Sequence, residues 1–531
     1  MRILRHSASL LALLALLVSL RPLSAAVDYT ALDAMPIQHD GRVKPFLVFA
    51  QENALLLSGK TKLPVDDRKM PAGELVTRLW LEPEKWIDRP LILVDYLPLK
   101  EATGLAADRK WFSYTELMAN PGLQALFANA ALPGRTLEGL PKKANEVRNR
   151  LLVFETLANG SLFRVAPPQA GVEWIPLPPH QPEYAALRAA HESGNAVEYL
   201  QAAQTLQNLL TALDPGRHVP EWKIRLEVLY QKLHPFRWAW IFYALGAVVL
   251  GATWKYGRAN GYRIAWGLVL AGFAFQLFGF ASRILIAGRP PVTNMYESVI
   301  WVAFGTVAFA LVFEAIYRSR HFLLAAAPVA VLSLILADSQ PAALNPAISP
   351  LVAVLQSNFW LTTHVLTITL GYAAFALALG VAHVALGQVI FGRKLSPELA
   401  NYVYRAMQVG VLLLAIGTVL GAVWANYSWG RFWDWDPKET WALIALLVYL
   451  FILHGRIAGK WAGFGLSVGA VLAFQSVIMA WYGVNFVLGV GLHSYGFGSG
   501  GFGVALTFVA AEIAFVALAI FRRYQVCQTS T

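Results

Sequence analysis

The stretch WGRFWDWDPKETWALIALLVYLFILHGR, residues 429–456, joins two segments of opposite character. Its first thirteen residues hold four tryptophans and five charged side chains, whereas Ala442 to Leu453 carries no charge. At the junction, Asp436-Pro437-Lys438-Glu439 offers an N-cap carboxylate, proline at the first helical position and glutamate at the third, which predicts a helix start. A helix that opens at Pro437 and runs on through apolar residues to 457 is long enough to cross a membrane. The aromatic and charged residues then sit at the mouth of a span.

Working outward, the whole chain has the same bias. Of its 531 residues, 57% are hydrophobic and 14% charged, with a mean hydropathy of +0.49, values that do not describe a soluble globular protein. Apolar segments able to cross a hydrocarbon core of roughly 30 Å fall near 237–254, 264–282, 296–317, 322–338, 361–391, 406–424, 437–457, 462–484 and 502–521. The fold expected is an α-helical polytopic membrane protein with about nine transmembrane helices over residues 236–531, and an external tryptophan-rich segment, 424–441, read as an exposed loop or shallow helix up to Trp435. Ahead of it, Arg2 and Arg5, the apolar run Ser7 to Leu20 and the small residues Ser24, Ala25 and Ala26 read as a signal peptide or N-terminal anchor over 1–26. Residues 27–235, mixed in composition and punctuated by Pro and Gly, read as an exported, mainly helical soluble domain with no metal-ligand spacing and no nucleophile arrangement.

The net charge of +11 follows the membrane segments: residues 27–235 hold 23 Lys+Arg against 24 Asp+Glu, residues 236–531 hold 17 against 8. No basic cluster lies in exposed polar sequence, so nucleic acid is not the partner. With 27–235 outside, the cytoplasmic loops carry twelve cations (Lys255, Arg258, Arg263, Arg318, Arg320, Arg393, Lys394, Arg405, Arg456, Lys460, Arg522, Arg523), and the opposite loops four, Arg283, Arg289, Arg431 and Lys438. That asymmetry obeys the positive-inside rule and puts 429–441 on the outer face. A single cysteine, Cys527, leaves no disulfide, CxxC pair, thiolate zinc site or CxxCH motif within the chain.

An interfacial belt accounts for one or two tryptophans, not for Trp424, Trp429, Trp433, Trp435 and Trp441 with Asp434, Asp436, Lys438 and Glu439 among them. A large, flat, apolar ligand with anionic groups would use such a surface, and haem is one. Haem needs axial ligands. His364 in FWLTTHVL and His493 in GVGLHSYG flank the tryptophan segment on the same face. Each alone reads as a helix-end polar group, but as a pair they read as ligands. His454 lies 17 residues after Pro437, about 26 Å deeper along one helix. An ionisable group there is a functional candidate or snorkels to the boundary beside Arg456. His383 and His321 are weaker candidates, and His234 reads as interfacial.

Four motifs in this order, RPPVTNMYES (289–298), WLTTHV (360–365), WGRFWDWDPKETW with LFILHGR (450–456), and GVGLHSYG (489–496), resemble the CcsA/ResC family, the haem-handling membrane subunit of the System II cytochrome c synthetase. The resemblance covers roughly 263–523. It implies an external haem site ligated by His364 and His493, an inner site using His454, and haem b passing from inner to outer for thioether attachment to an apocytochrome c CxxCH motif. It also implies a bacterial inner-membrane location, a CcsB/ResB-like membrane subunit that brings a second transmembrane histidine, and a thiol-reducing partner. No CcsB-type group of spans lies in residues 1–235, so that subunit is expected as a separate chain, with His383 as a substitute. MPIQHDGRVKPF (35–46) resembles N-terminal extensions of longer members, and His39 and Asp40 there read as structural. The competing readings are a haem exporter without attachment activity and an electron-transfer subunit with permanent haem.

Overall fold

A computed structural model of the chain describes residues 27–66, 68–130, 139–167, 173–178, 180–214, 218–340, 344–351, 355–488, 493 and 501–529. The leader read at 1–26 and all of GVGLHSYG except His493 lie outside the described residues. The chain divides between Gln231 and Lys232 into two compact units.

In the first unit, β1 (Pro36–His39) pairs antiparallel with β2 (Arg42–Pro45) around Asp40 and Gly41, at φ 49° and 74°. A two-residue Asp-Gly loop with both residues left-handed matches strand twist, which accounts for HDGR. Three further two-stranded sheets and helices including Phe46–Ser58, Ala72–Leu81, Gly139–Ala158 and Ala196–Leu213 enclose a core built on Phe46, Phe49, Leu75, Leu79, Leu151 and Phe163. The hairpin also brings together a group that the spacing does not show. His39, Asp40 and Glu52 offer ligand atoms within 4.8 Å of one another, a grouping invisible in the spacing because Glu52 arrives from the next helix. Buried Lys44 already supplies the cation, its Nζ 2.5 Å from Glu52 Oε2 and 3.9 Å from Asp40 Oδ2. His39, its Nδ1 3.0 Å from Asp40 Oδ2, holds the Asp40 carboxyl below its usual range.

Among the described residues the second unit has nine helices long and apolar enough to span a membrane, as expected. They are α1 (Pro235–Ala252), α2 (Arg258–Ala287), α3 (Met295–Tyr317), α4 (His321–Ser339), α5 (Asn358–Ile390), α6 (Pro397–Trp429), α7 (Pro437–Ile457), α8 (Gly463–Leu488) and α9 (Phe502–Thr529). Helix α5 is central, packed on α3, α4, α6, α8 and α9. Its Gly380 lets α4 approach backbone to backbone, since a Cβ there would stand 2.5 Å from Ala325 O.

Two features shape the end that carries the tryptophans. RPPVTNMYES is a clasp: Asn294 caps α3 by accepting from Glu297 N (2.8 Å), and the buried Glu297 carboxylate takes Arg283 Nη2 (2.6 Å) and Thr293 N (2.8 Å). Arg283 and Arg289 reach on to Pro346 O and Ser349 O, pinning the α4–α5 connection. The second feature is a correction. The segment Trp424–Trp429 is not loop or shallow helix but the last turns of α6, 33 residues long, because ANYSW contains no breaker and the helix ends only at Gly430, φ 73°.

Candidate functional site

Helix α5 opens irregularly. Ser357 caps a single turn, and Leu361–Val365 is a π-helical turn carrying His364, a distortion often found at functional sites. His364 Nδ1 lies 2.8 Å from Gly417 O on α6. A carbonyl only accepts, so Nδ1 holds the hydrogen and Nε2 keeps its lone pair. One turn along α6, a Cβ on Gly421 would stand 2.6 Å from His364 Cε1, so glycine makes room for the ring.

His493 is oriented by a carboxylate. Its Nδ1 lies 2.9 Å from Asp436 Oδ1, and that same oxygen accepts from Lys438 N (2.9 Å) as the N-cap of α7. One buried side chain thus starts the helix and sets the tautomer of the imidazole, the arrangement by which carboxylates orient metal-binding histidines.

Both rings line one cleft of about 160 Å³ together with Trp424, Trp429, Trp433, Lys438 and Trp481. Each imidazole meets an indole edge-on: His364 with Trp424 (5.6 Å between centroids) and His493 with Trp429 (5.1 Å). Trp360 lies parallel to Trp424 at 6.5 Å. The charges of the motif fold the loop. Glu439 Oε2 accepts from Asp434 N (2.9 Å) and Asp436 N (3.3 Å), Arg431 pairs with Asp434 (3.2 Å) and lies over Trp429, and Thr440 Oγ1 holds Trp435 O (3.2 Å) while Trp435 sits at φ 57°. Mixing tryptophan with charge at the mouth of a span thus serves two tasks, since indoles line the cleft and the ions fix the turn between α6 and α7.

Of the residues singled out in the sequence, His364, His493, Trp424, Trp429 and Trp433 come together here. Asp436 acts behind His493 rather than in the cleft wall; Trp435 is 69% exposed, and it and Trp441 do not line the cleft. His454 is elsewhere, exposed on the side of α7, with Nδ1 2.8 Å from Leu450 O one turn back. His383 faces Glu512 of α9 (Nε2 to Oε2 3.0 Å). Sequence reasoning missed Gly421, Lys438 and Trp481 as cleft residues, and Gly417 as the partner of His364. The two glycines sit in an apolar run with no local signal, whereas Trp481 donates to Ser298 Oγ (3.0 Å) from 183 positions away.

Residues 292–493 match the family described as Cytochrome C assembly protein. The chain is 35% identical over 292 residues to the cytochrome c biogenesis protein CcsA of Synechococcus sp. strain RCC307, covering 48% of this chain and 93% of that protein. The chain belongs to the CcsA family. A CcsA of Prochlorococcus marinus is 31% identical over 277 residues, covering 46% and 87%. Protein NrfI of Wolinella succinogenes is 30% identical over 491 residues, 86% of this chain, and the chain spans about half of its length (53%). Among solved structures, the cytochrome c haem lyase CcmF is similar at a TM-score of 0.39 and 16% identity, over 55% of this chain and 50% of that one. As a CcsA-family protein with nine apolar helices among its described residues, this is a multi-pass membrane protein of cytochrome c biogenesis.

Proposed function

We propose that this CcsA-family chain binds haem b in the cleft, on the outer face of the bacterial inner membrane, and presents it for covalent attachment to the CxxCH motif of an apocytochrome c. The observation that carries the reading is the pairing of two imidazoles in one aromatic cleft, each with Nδ1–H committed to a partner and Nε2 left with its lone pair. Two such nitrogens suit a haem iron, the indoles suit the macrocycle, and Lys438 suits a propionate. A cleft of about 160 Å³ is smaller than the roughly 300–1,000 Å³ of an enclosing pocket. Part of the porphyrin therefore stays outside, as a vinyl edge must to meet a peptide.

The attachment is an addition: a cysteine Sγ bonds the vinyl α-carbon, the thiol hydrogen goes to the β-carbon, and no electrons are exchanged overall. His364 and His493 hold the haem until the histidine of CxxCH takes one axial place. Holding thiol against vinyl removes a bimolecular entropy cost of up to about 7–11 kcal/mol. His454, exposed on α7, suits an earlier haem site shared with a CcsB/ResB-like subunit, and a thiol-reducing partner keeps the substrate cysteines reduced. Residues 1–26 serve as signal or anchor and 27–235 as an extracytoplasmic domain.

Purifying the chain with and without a CcsB/ResB-like partner, and measuring haem content and covalent attachment to a co-expressed CxxCH substrate, tests the reading. Haem with attachment is the expected result. Tightly held, redox-active haem with no attachment in the presence of both partners would turn the protein into an electron-transfer subunit, and transported haem with no attachment into an exporter. Reporter fusions after Lys394 and Lys460 should report cytoplasmic; the reverse would put the cleft on the wrong face.

A further inference from the structure

Met295 and Trp481 line the cleft on one side and, on the other, a larger cavity of about 600 Å³ enclosed by α3, α4, α5, α8 and α9. Its walls are apolar, with Val299, Leu336, Leu379 and Phe508 among them, and it reaches Leu332 and Val504, which are 61% and 40% exposed on the surface of the bundle. A ligand dissolved in the bilayer could therefore enter sideways.

Besides Tyr482, two ionisable side chains interrupt this apolar lining, His383 and Glu512. His383 Nδ1 is 2.9 Å from Leu379 O, so it carries hydrogen and Nε2 faces the carboxylate. Nε2 stands 3.0 Å from Glu512 Oε2. Phe515 stacks on the imidazole at 4.6 Å. Glu512 is 7% exposed, and the approach of His383 is too oblique to satisfy Oε2, which is left short of a donor. Ionisable groups within membrane helices are costly and mark ligand or proton sites, yet the cleft chemistry uses neither of these.

The lining decides the class of occupant. Among the described lining residues there is no Lys or Arg, so an anionic amphiphile such as haem would find no counter-charge. A bare acyl chain would leave the imidazole and the unsatisfied oxygen without use. A neutral amphiphile whose head oxygen alternates between carbonyl acceptor and hydroxyl donor matches both. We propose that this cavity binds an isoprenoid quinone from the bilayer, its ring oxygen hydrogen-bonded to the His383–Glu512 pair and its tail along the apolar walls toward Leu332 and Val504. This goes beyond the haem reading and does not depend on it.

Photolabelling of the full-length protein in lipid nanodiscs with an azido-ubiquinone, competed by decylubiquinone, tests the proposal without haem or apocytochrome. Saturable labelling of α4 and α9 peptides is expected, weakened at least about tenfold in Glu512→Gln, the loss that follows when a hydrogen bond to a charged partner goes. Ser333→Phe, which narrows the cavity and leaves the pair intact, should weaken it as much and serves where Glu512→Gln does not fold. Labelling that does not saturate, that is unchanged in the folded variants, or that phosphatidylcholine competes as well as decylubiquinone, would overturn the proposal. Displacement of decylubiquinone by haem at one-to-one stoichiometry would overturn it too and make the cavity part of the haem route.

Discussion

In the cleft, His364 and His493 are each oriented from another part of the fold, by Gly417 O on α6 and by Asp436 at the start of α7, whereas among the described residues His454 is oriented by Leu450 O, one turn back on its own helix. A ring tied across elements has its position set relative to the whole bundle, so both imidazoles have fixed places in the cleft. A ring tied to its own helix has a defined tautomer but an exposed face on α7, and in the proposed function its second ligand comes from another subunit. On the proposed function, the difference separates a site built by one subunit from half a site.

The largest effect should come from removing the cleft ligands. His364→Ala or His493→Ala is expected to abolish covalent attachment, and added imidazole to restore part of it by filling the empty axial place; full attachment in both variants would leave the tryptophans as an interfacial belt. Next, His454→Ala should lower haem content further than His493→Ala, because cargo that never enters cannot reach the cleft. Equal haem content in the two, measured on purified protein, would remove His454 from the route. Asp436→Asn tests orientation at a distance from the ligand. Asparagine caps a helix about as well as aspartate, so folding should hold while haem affinity falls roughly 10–100-fold, as for loss of an outer-shell carboxylate; unchanged affinity would make that contact only a cap. Gly421→Ala should displace the His364 ring and weaken haem by a similar factor, with imidazole rescue showing that the ligand, not the fold, is lost. Trp435→Ala should change attachment less than about twofold, as surface substitutions usually do, whereas Trp429→Ala or Trp433→Ala should change it clearly more.

Much was legible in the sequence because the signals were local. Nine apolar runs, the N-cap at Asp436, the positive-inside asymmetry and the histidines flanking a tryptophan segment need only neighbours along the chain, since helix length, capping and lipid solubility depend on composition within a window of about twenty residues. The sequence by itself therefore determined a helical membrane bundle and which imidazoles were candidates. Only tertiary structure decided what each charge and each glycine does. It made Asp436 the partner of His493 from 57 positions away, gave Gly417 and Gly421 to His364, kept Trp435 and Trp441 out of the cleft, and brought His383 to Glu512. The physical reason is that a side chain's hydrogen-bond partner and free volume come from whichever helix packs against it, and that packing is a property of the whole bundle that no window of sequence contains.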